Sequence, residues 1–252
     1  MLRSRIIPCL LLHDNGLTKT EKFGPGKYIG DPINAVKIFN EKEVDELMFL
    51  DIDKSVKNES PDYGLIQKIA DESRMPICYG GGIKDADQAR KIIEMGVEKI
   101  AISSIFFENP DILDEISGII GAQSVLLVLD VRKKKFGNDY VVYTHNGKQR
   151  IGSLKSILKN IEKHDFGELV INSIDRDGSL IGYDFDLVKI CRDFTDKPIT
   201  ALGGASSLDD IRRLINKFKI IGAAAGSLFV FKGKYKAVLI NYPDFNTRKN
   251  LY

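Results

Sequence analysis

Cysteine is scarce and unpaired in this 252-residue sequence. Cys9, Cys78 and Cys191 lie far apart, with no Cys-x-x-Cys or Cys/His spacing. That excludes a disulfide framework, argues against zinc and suits a reducing compartment. Buried apolar packing is the expectation for all three. Histidine is equally rare, and His13, His145 and His164 are not spaced for a metal. His13 falls in the long loop after the first strand, His164 on a helix surface, and none is given a catalytic role. No metal and no other cofactor is expected. The net charge of +2 is too small to call for nucleic acid or membrane as partner. No apolar run approaches the ~20 residues of a membrane span. Residues 1–5 are basic and 6–12 apolar, as in a secretory leader. The run is short, however, holds Pro8 and meets His13-Asp14-Asn15 without a cleavage site. A buried first strand explains it better, and a cytoplasmic location is expected.

What is present is an ordinary globular balance, 43% hydrophobic and 29% charged. Short apolar runs predict strands over 6–12, 46–52, 76–79, 99–103, 125–130, 169–174, 199–202 and 220–224. They are apolar throughout, as parallel strands covered on both faces are. Amphipathic stretches separate them. Ala86, Ala89 and Ile93 form one stripe, and Leu208, Ile211, Leu214 and Ile215 another. Asp31-Pro32 and Ser60-Pro61 read as a helix cap followed by proline at the first helical position. Strand–helix alternation implies an α/β parallel sheet.

A repeat selects a closed barrel over an open sheet. Shifted by 122 positions, 44–107 aligns without gaps on 166–229, with sixteen of 64 positions identical. Glu46-Leu47 matches Glu168-Leu169, Ile52-Asp53 matches Ile174-Asp175, and Gly81-Gly82 matches Gly203-Gly204. The expectation is one domain over 1–252, a (β/α)8 TIM barrel of two similar four-unit halves, about 1–122 and 123–252. The polar stretch 132–150, with Gly137-Asn138-Asp139, reads as a hairpin inserted after the fifth strand.

Candidate chemistry sits at strand ends. Gly80-Gly81-Gly82 follows the third strand and Gly203-Gly204 the seventh. Glycine lets a phosphate approach backbone N–H groups. With Ser103-Ser104 and Gly226-Ser227 they predict two phosphate sites across one barrel mouth. Asp51, Asp53, Asp130, Asp175 and Asp177 fall at or beyond the same ends, where barrel enzymes keep acids, bases and hydroxyl ligands. At the opposite ends, Arg5, Glu46, Lys99 and Glu168 open strands one, two, four and six. Four charges of alternating sign there form either a stabilising network or a gate for a small neutral molecule.

These features resemble HisF, the cyclase subunit of imidazole glycerol phosphate synthase, over nearly the whole chain. The resemblance rests on Arg5-Ile-Ile-Pro-Cys-Leu10, Gly30-Asp-Pro32, Phe49-Leu-Asp-Ile52, Tyr79-Gly-Gly-Gly-Ile83, Val142-Tyr-Thr-His145, Ser173-Ile-Asp-Arg-Asp-Gly178 and Leu202-Gly-Gly-Ala205. The related isomerase HisA shares the two-half barrel, but Ile7-Pro-Cys9 and Asp175-Arg-Asp-Gly178 favour HisF. The resemblance implies a HisH-like glutaminase on the barrel's bottom face. It also implies ammonia passing a gate of Arg5, Glu46, Lys99 and Glu168 to a phosphorylated small molecule at the top. There it implies a mobile-loop Lys19 and phosphate-binding segments holding Gly82, Ser104, Gly178, Gly204 and Ser227. The strand-end residues Asp51, Ser103, Asn172, Asp177 and Gly226 join them as expected substrate or phosphate contacts.

Two departures matter. The family uses two aspartates as acid and base. Asp130 matches one, but Leu11 stands where the other belongs, and losing one member of such a pair commonly costs ~10²–10⁴ in rate. Asn172 replaces the usual threonine. The substrate end is altered while the entry end is kept, as in HisF paralogues of surface-polysaccharide gene clusters, the WbuZ type. Those share Pro8-Cys-Leu-Leu-Leu12 and Gly226-Ser-Leu-Phe-Val-Phe231. They imply ammonia delivery to a sugar amidotransferase that makes an acetamidino group. The alternatives are an active histidine-pathway cyclase with Asp14 or Asp51 as replacement acid, a HisA-like isomerase, and a scaffold that only activates its partner.

Overall fold

Eight strands carry the architecture: β1 (Arg5–His13), β2 (Leu47–Asp51), β3 (Ile77–Gly80), β4 (Lys99–Ile102), β5 (Val125–Lys133), β6 (Glu168–Ser173), β7 (Ile199–Leu202) and β8 (Gly222–Ala225). In this computed structural model, which describes residues 3–137 and 139–252, each pairs in parallel with the next. β8 returns to β1, with Arg5 opposite Gly222 and Pro8 opposite Ala225. The sheet therefore closes, and helices cover its outside: the fold is a (β/α)8 TIM barrel. The last strand starts two residues later than its apolar run suggests, because Ile220 lies in the preceding turn and is half exposed.

Alternation along each strand divides the core in two. Outward residues such as Ile6, Leu10, Leu127 and Leu129 pack on the helices in one large cluster. Inward residues form a separate cluster: Ile7, Cys9, Met48, Cys78, Ala101, Leu126, Val128, Val170, Leu202 and Ala224. Both faces are apolar for different reasons, hence the continuous hydrophobic runs in the sequence. All three cysteines are buried and free. Burial lifts the Cys9 thiol to about 12, leaving it an inert wall.

Helix starts follow their caps. Asp31 accepts from the Asn34 N–H at 2.8 Å with Pro32 in the first turn. Ser60-Pro61 does not start its helix: Tyr63–Glu72 is capped by Asp62. In Leu208–Phe218 the predicted Ile211, Leu214 and Ile215 are buried and Leu208 partly so, whereas Ala86–Glu94 buries Ala89 and Ile92, one residue off the predicted Ile93.

Two loops on the C-terminal rim carry added strands. β1 overshoots the rim to His13, and Asp14 and Asn15 turn back with φ of 46° and 62°, the signs a type I′ hairpin demands. The strand Gly16–Lys19 then pairs with Leu11–His13 and with Lys27–Gly30. His13 therefore ends a strand instead of lying in a loop. β5 overshoots too, and Tyr140–Thr144 and Gln149–Ser153 pair antiparallel beside it. The centre of the predicted Gly137-Asn138-Asp139 turn lies outside the described residues, as do Met1 and Leu2. Among the described residues, no helix is long and apolar enough to cross a membrane.

Candidate functional site

The inward row of each strand begins at the N-terminal rim, and there four charges meet. Arg5 bonds Glu46 and Glu168, each at 2.6 Å. Lys99 bonds Glu46 at 2.8 Å and lies 3.8 Å from Glu168. The two cations and two carboxylates close a ring across the barrel axis. Burial opposes the Arg5 charge, but the two carboxylates outweigh it and raise its pKa. Thr200 completes the ring by donating to Glu168. Its place as the first inward residue of β7 was a signal available in the sequence but not read. Glu46 is 1% exposed, and its Oε1 has no partner among the described residues.

Above the ring the rows are apolar: Ile7 and Cys9 on β1, Met48 and Leu50 on β2, Leu126 and Val128 on β5. They end at the C-terminal rim in a cavity of about 180 Å3. Lys19, Asp51, Gly82, Ser103, Ser104, Asp130, Asn172 and Asp177 all line it, as does Leu11. A smaller hollow beside it is lined by Gly178, Gly204, Gly226 and Ser227, and shares Lys19 and Asp177 with the cavity.

Asp130 is the next inward residue after Val128. Burial, with a smaller contribution from the Asp177 charge, pushes its pKa up to about 7, against the opposing hydrogen bond from Asn172. Asn172 stands beside it in register and donates from Nδ2 to Asp130 Oδ1 at 2.9 Å. The amide N–H faces the carboxylate, which leaves Asn172 Oδ1 buried and unpartnered among the described residues. Asp51 is also raised by burial, although it accepts from the Asp53 and Lys54 N–H groups. A carboxyl that titrates near neutrality can give or take a proton. Leu11, the top inward residue of β1, can do neither.

The two predicted phosphate cradles differ. In the first, Gly81 and Gly82 hold φ of +124° and +73°, and a Cβ on Gly81 would sit 2.5 Å from the Asp51 carbonyl oxygen. Backbone and the Ser103 and Ser104 hydroxyls border open cavity there. The second is filled by Lys19, whose ammonium lies 2.7 Å from where a Gly226 Cβ would be. Lys19 pairs with Asp177 at 3.3 Å, and Thr20 donates to the same carboxylate at 3.1 Å.

Not every candidate converges. Asp53 faces His13 (2.7 Å) and Lys57 (3.3 Å) outside the cavity, and Asp175 faces Arg132 (3.7 Å). Asp14 is exposed and pairs with Lys57 at 3.1 Å. His145 does line the cavity, although spacing alone gave it no part. His164 is not on an open helix surface. It follows Leu154–Ile161, bonds Asp114 at 2.8 Å and meets Phe106 edge-on. Sequence spacing also missed two groups that folding brings together, His13–Asp14–Asp53 and Asp111–Asp114–His164. In the first, the Lys57 ammonium already sits between the carboxylates.

The sequence family described as "Histidine biosynthesis protein" matches residues 5–236. A provisionally named imidazole glycerol phosphate synthase subunit HisF of Leptospira borgpetersenii is 51% identical over all of both chains. A provisionally named subunit hisF3 of Vibrio vulnificus (strain YJ016) is 53% identical over 99% of this chain and 96% of its own. The imidazole glycerol phosphate synthase subunit HisF of Natranaerobius thermophilus is 32% identical over 96% of each.

Proposed function

Because the chain belongs to the HisF family of histidine-biosynthesis proteins, we propose that it is the ammonia-conducting barrel of a two-protein amidotransferase. A HisH-like glutaminase docks on the N-terminal rim and releases ammonia at the ring. The neutral molecule passes when Arg5 or Lys99 swings from its carboxylates, and it crosses the apolar interior. A charged ion would lose its hydration there at a cost of several kcal/mol, so the lining favours ammonia over ammonium. The acceptor is a phosphorylated or sugar-derived molecule at the cavity, and the barrel is a WbuZ-type paralogue serving acetamidino-sugar synthesis.

One observation carries this reading: a closed charged ring at one end of the apolar interior, with Leu11 in place of a proton-transfer group at the other. An independent isomerase has no use for the ring. A working cyclase is the second reading. Of the two candidate replacement acids, Asp51 lines the cavity with a raised pKa, whereas Asp14 is held outside by Lys57.

The test is cyclisation of the formimino ribulosyl bisphosphate substrate with ammonium salt, comparing wild type with Leu11→Asp. Little turnover is expected from wild type and a gain of ~10²–10⁴ from Leu11→Asp. Wild-type turnover near ~10 s⁻¹, the median for enzymes, would establish the cyclase instead. Failure to retain any HisH-like glutaminase on the immobilised chain would remove the conduit reading altogether.

A further inference from the structure

The overshoot of β5 builds a second concavity above the mouth. The inward row of Leu126, Val128 and Asp130 continues with Arg132. The two added strands extend the same face, with Val141 opposite Arg132, Tyr143 opposite Asp130, and Arg150 opposite Tyr143. With Lys133, Lys134, Lys135 and Phe136 they enclose a groove of about 450 Å3, within the range of small-molecule sites. Five of its eight lining residues are cations and none is a carboxylate. Asp175 and Asp139 each reach one of them, Arg132 at 3.7 Å and Lys134 at 3.1 Å, in exposed pairs. Such pairs neutralise little. The Lys135 and Arg150 side chains pair with no carboxylate among the described residues, and Asp175 also accepts from the Lys133 backbone N–H at 2.8 Å.

Local packing and pairing engage Arg132, Lys133 and Lys134 but leave Lys135 and Arg150 without an ion pair among the described residues. Four consecutive cations repel one another, and Phe136 is 91% exposed among them. The floor is different: Val141 is buried, and Tyr143 lies under the Arg132 guanidinium at 5.2 Å. A cationic rim over an apolar, aromatic floor fits a ligand with clustered negative charge at one end and a flat ring at the other. Inorganic phosphate lacks the ring. A nucleic-acid strand needs a longer track than one hairpin provides.

We propose that this groove binds a nucleoside diphosphate, its base on Phe136 and on Tyr143, from which the Arg132 guanidinium swings, and its phosphates on Arg132, Lys135 and Arg150. Being outside the barrel, the site is independent of the ammonia reading. A ligand held there by a nucleotide handle would have its remainder over the cavity mouth, since Tyr143 stands opposite Asp130.

The experiment is calorimetric titration of the full chain with UDP, ADP, uridine and pyrophosphate. One saturable site is expected for UDP or ADP, tighter than pyrophosphate. Lys135→Ala combined with Arg150→Ala should weaken it about tenfold. Tyr143→Leu should weaken the nucleotides about fivefold and leave pyrophosphate unchanged. Lys19→Ala, in the barrel cavity, should leave nucleotide binding unaltered. The proposal is overturned by absence of saturable binding up to about 5 mM, by pyrophosphate binding as well as UDP, or by loss in Lys19→Ala with the groove variants intact. Lys135 and Arg150 are exposed, and the circular dichroism and melting temperature of each variant, Tyr143→Leu included, are compared with wild type so that a loss of binding is read only from a folded chain.

Discussion

Asp130 is where burial does most to chemistry. A carboxyl ordinarily titrates near ~3.9, and this one does so at about 7. The folded protein therefore holds a proton that the unfolded chain releases, and the fold loses stability as pH rises from about 4 through 7. Asp130→Asn keeps an acceptor for the Asn172 N–H but cannot ionise. Between pH 5 and 8, urea denaturation should show wild type losing about 2–3 kcal/mol relative to the variant. Parallel stability profiles would mean that Asp130 is hydrated and ordinary. Asp130 was legible as a candidate because it ends an apolar run. Its state was not, since that depends on Asn172, 42 residues away, and on the closure of the barrel around both.

The hairpins that outgrow the barrel determine what the cavity presents. The loop after β1 reads as unstructured because its strands are only four residues long, yet the Asp14-Asn15 turn stitches it to β1. It is pinned from across the mouth as well. The Lys22 N–H donates to the Asp177 carbonyl at 2.9 Å, and Gly178, at φ +66°, passes so close that a Cβ would sit 2.2 Å from the Thr20 carbonyl oxygen. Gly178→Ala combines a left-handed backbone with a clash. It should cost about 2–4 kcal/mol and displace the segment that holds Lys19. Hydrogen exchange in residues 16–30 should speed up while β2 to β4 stay protected. Unchanged exchange would mean that the loop does not depend on this contact.

The molecule as a whole depends on closure, and the ring is where closure can be tested. Glu46 is buried and bridges Arg5 and Lys99. Its removal leaves two cations sharing one carboxylate in a place with little water. Glu46→Ala should lower stability by about 3–5 kcal/mol, with little relief from added salt because the pair is shielded from bulk ions. A loss under ~1 kcal/mol would class the ring with ordinary surface pairs. The ring was visible in the sequence as four charges at strand starts. The partners each charge takes, and the fifth member, Thr200, were not, because strand position alone does not say which side chains face each other.

Order along the chain was enough for the barrel: apolar runs at regular spacing, a 122-residue repeat and glycines at strand ends leave few other ways to bury both faces of eight short strands. It was enough, too, to place charges at one rim and acids, glycines and serines at the other, since strand direction assigns each residue an end. Tertiary structure decided which acids share a cavity, that Lys19 fills one of two cradles, and that Asp130 holds its proton near neutrality. Those outcomes depend on distance and exclusion of water between segments far apart in the chain, and such quantities exist only once the sheet has closed.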